Sequence, residues 1–451
     1  MQKNLIITEL KASIQLASPL VAALLAQMTM EMVNIVMLGR LNAHALAAGG
    51  LSMAILFTLI VVCNGLFSAS GVMIARDYGA KKHAEISRTL SQSLYLAMLL
   101  AVPCFFFLRL APYFLSAIGQ NPELIELASI FLHAFSWGMP ALIIYFALRE
   151  FISALSLTRV IMFLSLMIAP LTGVLNYVLM YGKWGFKPLG IAGVGYSNAI
   201  MEWFLLGATL FFIFKSSKMR PYVNFYRIDW FRIKEIVKLG LPVSVTMGLE
   251  VGLFSITTLL MGYFGADALA AHQIALQCAN IAFMFPLGFA QATAIRVGQS
   301  LGYGSVQHAK YAAYVGLSLG TGIALMTALI FISIPTTIIS LFIGANDHDQ
   351  YILIPMAVSF ISVMALFQLV DATQVIMNGA LRGLKDTYVP MWLGLLSYWI
   401  SGLVSGYYLA FTLKLGGIGL WWGLGIGIGV SALLLLLRFH YRIQCEEIAL
   451  L

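Results

Sequence analysis

Charge is what this chain has least of. Only 10% of its 451 residues are Asp, Glu, Lys or Arg, while 61% are hydrophobic. Soluble domains carry about a quarter charged residues, and no water-soluble fold of this size could hide so much apolar surface. Cysteine is also sparse. Cys63, Cys104, Cys278 and Cys445 are scattered, without CxxC or Cys/His spacing, so neither a zinc centre nor a disulfide framework is expected. A Gly-x-x-x-x-Gly-Lys-Ser/Thr phosphate loop is missing, which argues against an ATP-driven machine. The glycine run Gly423–Gly429 lies in an apolar stretch and reads as close helix packing. The amphipathic N-terminus lacks a small-residue cleavage site, so no cleaved signal peptide is expected. With no paired base and nucleophile in view, an enzyme acting on lipid is disfavoured.

What is present is a series of long, nearly uncharged runs. About 20 apolar residues span a bilayer as a helix, and breaks at Pro, Gly and charge clusters divide the chain into twelve such spans. These are 14–38, 44–74, 90–116, 128–149, 160–182, 190–215, 238–264, 268–298, 310–342, 350–381, 388–413 and 416–438. The expected fold class is an all-α polytopic membrane protein. A membrane β-barrel would instead show alternating strands of about ten residues. With an even number of spans, one side collects all of the 26 Lys and Arg except Arg40, Arg109, Lys183, Lys187 and Lys414. Basic loops stay cytoplasmic, so both termini are expected in the cytoplasm, and the basic surplus of +8 sets topology rather than binding nucleic acid. The longest polar stretch, around 216–237, reads as a basic linker whose charges suit anionic lipid headgroups.

The chain also contains itself twice. Shifted by 223 residues, Leu16-Ala-Ser-Pro19 falls on Leu239-Gly-Leu-Pro242, Gly39 on Gly262, Ala45–Ala48 on Ala268–Ala271, and Gly65 on Gly288. The expected organisation is an N-terminal six-helix lobe at 1–215, the linker at 216–237, and a C-terminal six-helix lobe at 238–451. Six spans per half make the repeat parallel. Two such bundles that rock against each other would give alternating access.

Candidate functional residues are the polar groups that such helices can least easily keep. Glu250 and Asp371 lie deep in apolar spans, and a carboxylate there by default marks an ion, proton or substrate path. Asp371, Gln374 and Asn378 share one helix face, with Gln368 extending it; Thr246, Glu250 and Thr257 share another. Gln273, Gln277 and Asn280 form a third stripe beside His272. In the first half the candidates are Glu31 and Asn34, Thr172 and Asn176, and Asn198 with Glu202. For the amides the alternative is hydrogen bonding between helices that holds the bundle together, and His272 is expected to be structural. Glu250 falls on uncharged Gln27 under the repeat, so the charge chemistry is expected in the second half. Two nearby carboxyls that take up and surrender a cation, offered to each side in turn, would make an antiporter.

These residues resemble the multidrug and toxic compound extrusion (MATE) family, in its NorM-like branch. The resemblance spans nearly the whole chain. It rests on Ala270-Ala-His-Gln-Ile-Ala-Leu276, Phe283-Met-Phe-Pro286, Arg296-Val-Gly298, Val370-Asp-Ala-Thr-Gln-Val375, Gly379–Asp386, Leu175-Asn-Tyr177 and Tyr181-Gly-Lys-Trp-Gly185. It implies a non-enzymatic, monomeric exporter of amphiphilic cationic drugs and dyes in the bacterial inner membrane. Such a protein needs no cofactor beyond a coupling ion, Na+ or H+, and Glu250 and Asp371 are the implied coupling acids and possible Na+ ligands. The family's first-span aspartate is replaced here by Asn34, in Val33-Asn34-Ile-Val-Met-Leu-Gly39, with Glu31 one turn away as a candidate substitute. Thr172 stands where the family often has asparagine. A flippase for lipid-linked oligosaccharides is the competing function, disfavoured because the spans carry few basic residues.

Overall fold

A computed structural model describes residues 2–117, 119–342 and 353–449. The regular secondary structure of the described residues is all helical, with no strand among them. Among the described residues eleven helices are long and apolar enough to cross a membrane, and a bent pair supplies a twelfth span. In chain order the first half comprises α1 (Gln2–Leu41), α2 (Ala43–Gly79), α3 (His83–Ala117), α4 (Pro122–Ser136), α5 (Met139–Ala154), α6 (Thr158–Tyr181) and α7 (Ile191–Lys215). The second half comprises α8 (Trp230–Met261), α9 (Ala266–Gly302), α10 (Val306–Ser333), the short α11 (Pro335–Ile339), α12 (Ile354–Gly383), α13 (Tyr388–Leu395), α14 (Ser405–Tyr407) and α15 (Gly417–Ala449). Leu396–Val404 and Tyr408–Thr412 are π-helical, so α13 to Thr412 is one continuous span of mixed winding. The expected start of the tenth span, at 350, lies outside the described residues.

Local chemistry sets the helix ends. The side chain of Asn42 accepts from the Ala45 amide (2.7 Å) and caps α2. Asn121 accepts from the Glu123 amide ahead of Pro122, and Ser305 caps α10. α6 stops at Gly182, whose φ of 68° is left-handed and whose missing side chain leaves room for Pro188. The span expected at 128–149 is not one straight helix. It breaks at Trp137–Gly138 into α4 and α5, which are bent by 52°. A Cβ at Gly138 would sit 2.7 Å from the Ala199 Cα, so the bend lets α5 start against the backbone of α7.

The chain forms two compact units. One is Ala22–Gly240; the other is Met1–Val21 with Leu241–Leu451. The first 21 residues, read from sequence with the first half, therefore cluster with the second. Both boundaries fall inside helices, just after Pro19 in α1 and just before Pro242 in α8, where proline deletes a backbone hydrogen bond. The Arg296 guanidinium holds residues 1–21 in the second unit by gripping both oxygens of Glu9, at 2.6 and 2.8 Å, with Glu9 only 2% exposed. Gly288 adds to this by letting Val21 approach α9.

Several basic residues expected at a span end or in the linker lie inside helices. Arg149 is buried in α5, where its Nη2 donates to Asn64 Oδ1 (2.7 Å). The stretch read as a linker to 237 is shorter, because Asp229 Oδ1 accepts from the Phe231 and Arg232 amides and starts α8 at Trp230. What precedes Asp229 is tied to α3. Ser91 and Gln92 donate to the carbonyls of Asn224 and Arg227, and Gln92 Oε1 accepts from the Asp229 amide. Arg232 is satisfied by Asp77, Glu85 and Glu235, and Arg88 pairs with Asp229 at 2.7 Å.

Glycine governs the tightest packing. In the second unit, Gly402 and Gly406 face Gly427 and Gly423 on α15. A Cβ at Gly427 would lie 2.6 Å from the Gly402 Cα, and one at Gly423 would run into Gly406. The two backbones touch, as the glycine run suggested. Large apolar side chains left outside, such as Leu99, Val102, Phe106, Leu110 and Phe114 on α3, suit acyl chains, and Trp184, Tyr263 and Trp230 near helix ends suit the interface.

Candidate functional site

The second unit gathers its polar groups on α8, α12 and the π-helical stretch. Asp371 is 8% exposed near the middle of α12, and its Oδ1 is buried without a hydrogen-bond partner. Glu250, half-buried on α8, lies within electrostatic reach of it. One helical turn on from Asp371, Gln374 donates through Nε2 to the hydroxyl of fully buried Tyr398, leaving its own Oε1 unmatched. Gln368, one turn the other way, accepts through Oε1 from Thr327 on α10 (3.2 Å) while its Nε2 is unmatched. Asp371, Gln374 and Gln368 thus share the buried face that their spacing predicts. Asn378 continues the row half-buried.

Tyr398 was not legible as a site residue. Its ring packs beside Gly394 and Thr246, its hydroxyl bonds Gln374 and lies near Ser431, and both Glu250 and Asp371 act on it electrostatically. The available signal was the row Gly394, Tyr398, Gly402 and Gly406 at intervals of four residues, which marks a face pressed into the bundle. π-helical turns recur at functional sites because they re-aim side chains within a helix. Here the π-helical stretch carries Tyr398 and also Trp399, whose ring occupies the space left by Gly252 two residues past Glu250.

The remaining second-half candidates separate. Gln273 and Asn280 are exposed on α9 and Gln277 is half-buried, and none is hydrogen-bonded to the acids among the described residues. Ala271, Ala275 and Cys278 form the buried face of that helix. His272 is a packed core residue, as expected, with its Nε2 3.0 Å from the Thr258 hydroxyl and its ring against Trp421. No cluster of three or more His, Cys, Asp or Glu arranged for a metal occurs among the described residues.

In the first unit three of the candidate amides converge. Asn34 on α1 donates through Nδ2 to Asn198 Oδ1 on α7 (3.2 Å) and accepts at Oδ1 from Asn176 Nδ2 on α6 (2.6 Å). Thr172, one turn from Asn176, is fully buried but spends its hydroxyl on the Ile168 carbonyl. Glu31 is half-buried and joins none of these bonds. Three neutral amides therefore tie α1, α6 and α7 together.

Long apolar helices, an internal duplication and carboxylates kept in an apolar interior define a polytopic membrane protein built to move something across a bilayer. A family model described as MatE matches residues 19–178 and again 242–408, and the two matches start at the interval that the internal repeat shows. The chain is 37% identical over 421 residues to "Probable multidrug resistance protein NorM" of Rhizobium meliloti, covering 92% of this chain and 90% of that one. It is 34% identical over 429 residues to "Multidrug resistance protein NorM" of Burkholderia vietnamiensis, covering 95% and 93%. Among solved structures it matches the eukaryotic MATE transporter AtDTX14 with a TM-score of 0.87 at 20% identity, covering 99% and 100%. An outward-facing MATE family transporter of the MOP superfamily matches at 0.87 and 19%, covering 97% and 96%. The chain belongs to the MatE family.

Proposed function

We propose that this protein is a multidrug efflux antiporter that exports amphiphilic cationic drugs and dyes in exchange for Na+ or H+. Small-molecule export is supported by its relatives' names. The coupling assignment is supported chiefly by one observation: Asp371 is buried with an unmatched carboxylate oxygen, within electrostatic reach of a second acid, Glu250. A desolvated carboxylate is costly unless something positive joins it. A driving ion can supply that charge, and a cationic substrate can compete for it. Gln374 and Tyr398 fix the geometry around the acids, while Gln273, Gln277, Asn280 and Asn378 offer polar contacts to a substrate. The two halves alternate the site between the faces of a bacterial inner membrane, with both termini in the cytoplasm. No cofactor is required. The protein acts as a monomer, since each chain carries both halves.

Proteoliposomes loaded with ethidium and given either a sodium gradient or a pH gradient alone test this reading. Dye should leave under at least one of the two gradients and stay inside without one. Retention under both would contradict antiport.

A further inference from the structure

The first unit holds a half-buried acid with an unmatched carboxylate oxygen of its own. Glu202 lies on α7 four residues beyond Asn198, on the same helix face, and its Oε2 is fully buried with no hydrogen bond. Asn198 is joined to Asn34 and through it to Asn176, whose Oδ1 is also buried and unmatched. Both unmatched atoms are acceptors, so this interior lacks a donor.

The neighbouring groups do not supply one. Arg149 on α5 is committed to Asn64 (2.7 Å) and Glu150 (3.3 Å). Tyr145, one turn from Arg149, is buried beside Ser165 within electrostatic range of Arg149, Glu150 and Glu202. α4, α6 and the short Arg220–Tyr222 turn also pack on α7, and their titratable side chains are Glu123, Glu126, His133, Arg159, Tyr177, Tyr181, Arg220 and Tyr222. None of these bonds to Glu202. With Arg149 and Glu150 paired to each other, Glu202 is left with no partner for a charge on its carboxyl group. In an apolar interior that charge persists only if one positive charge joins it.

We propose that Glu202 forms a binding site for a single positive charge in the first unit, below the neutral asparagine triad. The charge arrives as a proton or as the cationic head of a substrate. This inference rests on the export reading for its role in transport, but the site can be tested without transport. Infrared spectra of the purified protein during an alkaline titration, and its affinity for ethidium, distinguish the two sources. If Glu202 holds a proton, a protonated-carboxyl band that wild type loses on titration is missing from Glu202→Gln and kept in Glu31→Gln and Glu202→Asp. If it holds the cationic head, Glu202→Gln weakens ethidium binding by about tenfold or more and leaves binding of a neutral dye unchanged. Should Glu202→Gln match wild type in both band and affinity, the inference fails. If wild type exports no dye under any gradient, the export reading fails instead, and the band and the affinity still decide the role of Glu202.

Discussion

Asp371→Asn should bring ion-driven dye efflux down to the level of empty liposomes, and Glu250→Gln should do the same. Neither variant should lose its place in the membrane. The expectation follows from what the substitutions change and what they keep. Asn and Gln preserve the shape of the side chains and can still hydrogen-bond, so helix packing around α12 and α8 is undisturbed. What disappears is a charge that needs a counter-ion. Because Asp371 is 8% exposed with an oxygen unmatched, removing its charge takes away a cost of burial rather than a stabilising contact. The thermal stability of Asp371→Asn should equal or exceed that of wild type. Loss of efflux together with preserved stability separates ion coupling from structural support. The double variant should be no worse than either single one, since residues that act as one unit are not additive. Efflux from both single variants at the wild-type rate would remove the site assignment.

Arg296→Leu should produce the largest loss of stability. Its guanidinium is the partner of Glu9, which is 2% exposed and held through both oxygens, and Gln299 shares the same group at 3.0 Å. Deleting one member of such a pair leaves the other charge buried alone, which costs about 3–5 kcal/mol. The purified variant should unfold well below the wild-type temperature and be recovered in poor yield. Replacing both members, Glu9→Leu with Arg296→Met, should restore much of the loss, because no charge is then stranded. A single variant as stable as wild type would mean that Glu9 finds water, and that residues 1–21 are held by Val21 and its apolar neighbours alone.

These two residues also show how far the sequence could be read. Asp371 and Gln374 were legible because a helix face follows from spacing alone, and because an acid in an apolar run is conspicuous. The duplication was legible in the matching Leu-x-x-Pro and Ala-Leu-Ala-Ala stretches. The Glu9–Arg296 pair was not, since its members are 287 residues apart and nothing local to either calls for the other. Arg149 misled for the same reason. A basic residue near the end of an apolar run reads as a loop charge until its partner, Asn64, is known. The bend between α4 and α5 and the π-helical turns around Tyr398 depend on which backbones glycine allows to touch, Gly138 on α7 in one case and Gly402 and Gly406 on α15 in the other. Hydropathy carries no record of those contacts. The asparagine triad lies between. Each amide was visible as a polar residue in a span, but that three neutral groups would satisfy one another, leaving Glu202 as the uncompensated acid, emerged only from the fold.

The claim on which the rest depends is that Glu250 and Asp371 hold the driving ion and give it up as a cationic substrate arrives. Ethidium added to purified protein in weakly buffered solution, monitored with a pH electrode and a sodium electrode, measures that exchange directly. Wild type should release protons or sodium in proportion to the dye bound, and the Glu250→Gln, Asp371→Asn double variant should release none. Equal release from both proteins would place the ion elsewhere and contradict the account.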